Sequence, residues 1–147
     1  MSNEPAAAVR VTEDQLDFGL GDQLLYQDQP LTGIVYELYP DGSLKEERSY
    51  EDGMPKGLCR EWYDNGQLSR EWIAQHGFAP DETTEWHRNG QMKSVMRREL
   101  GIDVAYSEWD ASGQLVIERR LQEDSPTYAV LEKLRERYRR PGPQRHP

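Results

Sequence analysis

The sequence predicts a mainly β fold, an elongated single-layer antiparallel sheet of tandem β-hairpin repeats of about 24 residues with a C-terminal capping α-helix. Three observations predict it. A turn dipeptide ending in glycine recurs at Gly42, Gly66, Gly90 and Gly113, at spacings of 24, 24 and 23 residues, and two residues after each stands Leu44, Leu68, Met92 or Leu115. The segments flanking these turns are rich in Tyr, Trp, Val and Ile, which suit a pleated, half-buried surface. After residue 124 the period changes, and Tyr128, Leu131, Leu134 or Arg135, and Tyr138 recur at helical spacing.

Each repeat reads as strand, tight turn, strand. GIVYELY (33–39), GLCREWY (57–63), DETTEWH (81–87) and VAYSEWD (104–110) precede the turns; LKEERSY (44–50), LSREWIA (68–74), MKSVMRR (92–98) and LVIERRL (115–121) follow them. Asp41-Gly42, Asn65-Gly66 and Asn89-Gly90, and more weakly Ser112-Gly113, supply the positive φ values of a two-residue type I′ hairpin turn. These four glycines are therefore structural. Gly53, Gly77 and Gly101 mark a second turn at the same period, within connectors that hold the expected Gly, Pro and Asp. Tyr26–Gly33 aligns with Tyr50–Gly57, so LGDQLLY (20–26) reads as a leading half-repeat. The expected organisation is an N-terminal segment over 1–19, partly disordered, a repeat array over 20–124, an amphipathic helix over 125–140 and a disordered tail over 141–147. Ser125 is the expected N-cap, with Pro126 at the first helical position. This helix is expected to pack on the last hairpin and cover its open edge.

Composition bounds the function. The chain of 147 residues is 35% hydrophobic, with four Trp and eight Tyr but two Phe; its mean hydropathy is −0.96. A thin sheet fits that balance better than a thick core. Residues 126–147 hold six basic and two acidic side chains, so the net charge of −9 becomes −13 over residues 1–125. Such a body disfavours nucleic acid, whose backbone needs clustered Lys and Arg. It suits a basic partner drawn in by long-range attraction, although an acidic surface also serves solubility alone. Cys59 is the single cysteine, consistent with a reducing compartment. No secretory signal or membrane-spanning run is read, so a cytoplasmic location is expected.

The aligned units resemble the MORN-repeat variant of the YwqK-like toxin–antitoxin antitoxin family, in which a Gly-x-x-x-x-Trp/Tyr-Tyr strand alternates with an x-Asn-Gly-x-Leu turn. GLCREWYDNGQL (57–68) is the nearest match, followed by EWHRNGQM (85–92) and YELYPDGSL (36–44), while the fourth unit departs from it at Asp110 and Ser112. The resemblance covers residues 20–121. It implies an antitoxin or immunity protein that binds and neutralises a partner toxin, and it carries no toxin-contacting residue with it.

Candidate binding residues come from the columns of the alignment and from its exceptions. Glu37, Glu61, Glu85 and Glu108 occupy one position in the four first strands. With strands about 4.8 Å apart and one strand intervening, they form a ridge with carboxylates about 10 Å apart. The expected register sets Glu61 opposite Arg70, Glu37 opposite Glu46, Glu85 opposite Ser94 and Glu108 opposite Ile117. A solvated face with local ion pairs is the plain reading of this column, and a partner-binding ridge is the functional one. Trp62, Trp86 and Trp109 alternate with the glutamates and so occupy the other face, where repeat-to-repeat packing accounts for them. Trp72 breaks the repeat pattern and is a candidate aromatic anchor. His76 and Phe78, in a connector, are further candidate partner contacts.

No metal-ligand spacing appears among His76, His87 and His146, and neither a nucleophile elbow nor a phosphate loop is present. The expectation is a non-enzymatic protein without cofactor or metal, whose partner is a basic protein toxin or effector rather than a small molecule. The rival expectation is a MORN-type scaffold touching membrane lipid through the basic helix (Lys133, Arg135, Arg137, Arg139, Arg140).

Overall fold

The computed structural model describes residues 8–139. The expected disorder of residues 1–7 and 141–147, like the placement of Arg140 and His146, lies outside the described residues. Along the chain stand β1 (Val9–Val11), a 3-10 turn (Glu13–Gln15), β2 (Leu16–Phe18), β3 (Leu24–Tyr26) and β4 (Gln29–Pro30). The repeat hairpins follow as β5 (Gly33–Leu38) with β6 (Leu44–Glu51), β7 (Met54–Pro55), then β8 (Gly57–Trp62) with β9 (Leu68–Ala74). Next come β10 (Glu82–Trp86) with β11 (Met92–Glu99), β12 (Ile102–Trp109) with β13 (Leu115–Arg120), and α1 (Pro126–Tyr138). The main sheet has the order β1-β5-β6-β8-β9-β10-β11-β12-β13, with β7 on β6. Consecutive hairpins thus add edge to edge, as the repeat predicts.

The core is correspondingly small. Val11, Leu31, Cys59, Ala74 and Leu131 are the buried apolar side chains, joined by Thr83 and Ser94. Cohesion therefore depends on pairs between repeats as well as on burial. Tyr39 and Tyr63 each donate a hydroxyl hydrogen bond of 2.7 Å to the carbonyl of Trp62 and Trp86, one repeat ahead. His87 holds the same column, its Nε2 lying 2.8 Å from the Trp109 carbonyl, so the proton sits on Nε2. The turn asparagines do likewise: Asn65 Nδ2 donates to Arg88 O and Asn89 Nδ2 to Ala111 O.

The glycine-marked turns differ from the two-residue type I′ expectation. Tyr63 N donates to Gln67 O and Gly66 N to Tyr63 O, which encloses the three residues Asp64, Asn65 and Gly66. Glycine alone takes positive φ there, 84° at Gly66 and 87–91° at Gly42, Gly90 and Gly113. A bulge follows, since Trp62 pairs with Leu68 but Glu61 with Arg70. Loop residue and bulge offset one another, so the expected register beyond the turn survives. Asn65 contributes through its side chain, which accepts from Gln67 N and reaches the next repeat. Turns with two consecutive positive φ values occur instead at the opposite end of the sheet, at Asp52-Gly53 and Leu100-Gly101.

The N-terminal segment contributes strands of its own. Within the expected partly disordered region 1–19, β1 runs parallel to β5, with Val9 paired to Gly33. A Cβ on Gly33 would stand 2.1 Å from Val9 O, so this strand needs glycine opposite it. The expected half-repeat 20–26 does not join the array; β2, β3 and β4 form their own three-stranded sheet. That sheet is pinned to the β6–β7 turn: Leu24 N donates to Gly53 O, Gly53 N to Leu31 O and Gln23 Nε2 to Asp52 O.

Helix α1 begins as predicted. Ser125 Oγ accepts from Tyr128 N, with Pro126 in the first turn. Side chains of the helix reach back beyond β12 and β13. Arg135 makes two bonds to Glu99, of 2.6 and 2.7 Å, and Tyr138 meets Phe78 edge to face at 5.5 Å. The helix thus reaches the end of β11 and the β9–β10 connector. Its stripe is narrower than expected, since Leu131 is fully buried while Val130 is exposed.

Candidate interaction surface

Residues directly opposite one another, and residues two apart along a strand, share a face of a sheet. The observed register therefore builds one continuous row across eight strands: Glu37, Glu46, Glu61, Arg70, Glu85, Ser94, Glu108 and Ile117. All four predicted glutamates lie in it. Glu46, absent from the repeat column because it belongs to a return strand, fills the gap between Glu37 and Glu61. Three carboxylates thus stand directly opposite one another on β5, β6 and β8, an arrangement that is unfavourable without a cation.

Nearby groups answer this charge unequally. Lys45 Nζ lies 2.9 Å from Glu37, and Arg48 pairs with Glu46 along the strand. Glu85 accepts from Ser94 Oγ at 2.8 Å and Glu108 from the Tyr106 hydroxyl at 2.6 Å. Glu61 fares worst, with Arg70 at 3.9 Å. Its carboxyl is pushed above the ordinary range, first by burial, with Glu46 and Glu85 adding to the shift and Arg70 and Arg48 opposing it.

Trp72 stands on the same face, two residues from Arg70, whose guanidinium sits 4.9 Å from the indole centre. A cation–aromatic pair thus adjoins the carboxylate row. His76 and Phe78 lie elsewhere, in the β9–β10 connector. His76 is exposed, and Phe78 packs on Tyr138 of the helix. Cys59, also on the glutamate face, is buried, and that burial pushes its thiol up and away from nucleophilic use. Among the described residues no group of three or more His, Cys, Asp or Glu gathers to hold a metal ion.

The opposite face carries Trp62, Trp86 and Trp109, paired across their hairpins with Leu68, Met92 and Leu115. Its charges cancel locally: Arg60 pairs with Glu71 at 2.7 Å, Arg10 with Glu47 at 2.8 Å and Arg97 with Glu82 at 3.2 Å. One face is therefore neutralised, and the other holds an excess of carboxylate.

Fold and surface together define a hairpin-repeat protein with one broad face richer in carboxylate. Residues 31–52 and 55–73 are similar to the family described as MORN repeat variant. These matches span the first two hairpins, and the later two repeat the same register and the same Tyr or His bridge. The likeness places the array with repeat-based interaction scaffolds. Comparison with curated proteins returns no match.

Proposed function

We propose that this protein is a non-enzymatic antitoxin or immunity protein that holds a basic toxin against its glutamate face. The row of five glutamates, three of them directly opposed, is the observation that carries the reading. A folded protein keeps like charges in register at a cost, and a cationic partner turns that cost into affinity. Excess negative charge steers the encounter, Trp72 beside Arg70 supplies an aromatic anchor, and neutralisation follows from steric occlusion of the toxin.

The test is co-expression with the product of the neighbouring gene, followed by association kinetics. A stable complex that weakens as salt rises is expected, and the double variant Glu61→Lys/Glu85→Lys slows association while the fold persists. No association at low ionic strength would remove that product as the partner. The scaffold reading instead predicts liposome pull-down that depends on Arg137 and Arg139. No described helix is long and apolar enough to cross a membrane, and Arg135 is already engaged by Glu99.

A further inference from the structure

We propose that the groove between the N-terminal three-stranded sheet and the glutamate face seats an extended segment of the partner, one bearing an Arg or Lys close to an apolar side chain. The inference rests on the reading of a basic protein partner and names where that partner is gripped. Two cavities, of about 480 and 380 Å³, adjoin at Glu13, Leu24 and Tyr50, which line both, and together they make the two ends of the groove.

The two ends differ in chemistry. At one end Glu13, Asp14, Glu37 and Glu46 converge around Leu16 and Val35. Arg48 is the basic side chain lining that end, and it is committed to Glu46. Asp14 takes a hydrogen bond from Thr12, and among the described residues no Lys or Arg pairs with it. At the other end Phe18, Leu24, Met54 and Pro55 supply an apolar wall, and Glu13, Asp22 and His76 also line it. Phe18, which lines this end, is 77% exposed and so open to a partner's side chain.

The groove is also preformed. The bonds from Leu24, Gln23 and Leu31 to the β6–β7 turn hold its outer wall against the sheet, which reduces the ordering that binding would require. Four carboxylates gathered at one end, and an apolar wall beside two carboxylates at the other, complement a cationic side chain close to an apolar one. The arrangement gives His76 a place beside the binding seat that the carboxylate row alone does not.

Selection of random heptapeptides displayed on phage, against the immobilised full chain, tests this. Enriched peptides should carry Arg or Lys within two positions of an aromatic or aliphatic residue. Their affinity, read by fluorescence polarisation, should fall at least about tenfold in Glu13→Lys/Asp14→Lys and again in Phe18→Ser. All three positions are exposed, so circular dichroism and Tm should stay at wild-type values. Glu118→Lys/Glu123→Lys matches the charge change away from the groove and should leave binding intact. Enrichment of peptides without a basic residue, or binding unmoved by the groove variants, overturns the proposal. Basic peptides that respond to Glu85→Lys but not to the groove variants also overturn it, yet leave the glutamate face as the partner site. A toxin complex that forms equally well with Glu13→Lys/Asp14→Lys has the same meaning.

Discussion

Glu61 is held by Arg70 only at 3.9 Å, and its titration should report that weak pairing. Its folded-state pKa is raised, so the fold favours the protonated form. The penalty is absent below the unfolded-state value of about 4.3 and sets in as pH rises through the folded-state value. Glu61→Gln should therefore raise stability at neutral pH by about 0.2–1 kcal/mol, the scale of a cross-strand pair, and lose that advantage near pH 4. Urea unfolding at the two pH values measures it. Tyr63→Phe tests the bridges between repeats: losing the hydroxyl bond to Trp86 O should cost about 0.5–1.5 kcal/mol in the same assay. The glutamate column was legible because strand parity fixes which residues share a face. Glu46 was legible only as the partner of Glu37; its place opposite Glu61 as well depends on how successive hairpins pair, which the repeat period does not fix.

Among elements, the repeat hairpins were legible and their turns only partly so. Asn-Gly fits both a two-residue turn and a three-residue turn with a bulge, and both give the same register beyond the bulge. The three-residue form occurs at Asp41-Gly42 and Ser112-Gly113 as well, so the glycine rather than the asparagine is its common element, and the asparagine amides add a bond to the next repeat that no local pattern announces. The helix was legible from its cap and period, but its docking was not, because Glu99 and Phe78 lie far off in sequence. Leu131 anchors that docking. Leu131→Ala should cost about 2–5 kcal/mol, measured by thermal unfolding, since the side chain is wholly enclosed. Gly53 anchors the other attachment. Its φ is +81°, and an added Cβ would lie 2.7 Å from Leu24 O. Gly53→Ala should therefore release the three-stranded sheet, seen as faster hydrogen exchange at the Leu24 and Leu31 amides, with the later hairpins unchanged.

Across the whole molecule, the array ends where its bridging residues change. Asp110 takes the position of Tyr39, Tyr63 and His87, and it folds back to accept from Ser112 N and Gln114 N in its own turn. The last repeat therefore extends no side-chain donor from this column toward a further one. At the other end the N-terminal sheet was the least legible part, because strands of two and three residues leave no measurable period and are stabilised by partners distant in the chain. Its presence converts a flat acidic face into one with a walled groove. Against this frame of paired and neutralised charge elsewhere, the glutamate face is the feature that calls for a cationic partner. Stopped-flow association of the wild type and of Glu61→Lys/Glu85→Lys with the basic product of the neighbouring gene tests that claim most directly. A rate that falls steeply with salt in the wild type, and is slow and nearly salt-independent in the variant, is the predicted result. Equal rates with equal salt dependence would contradict it.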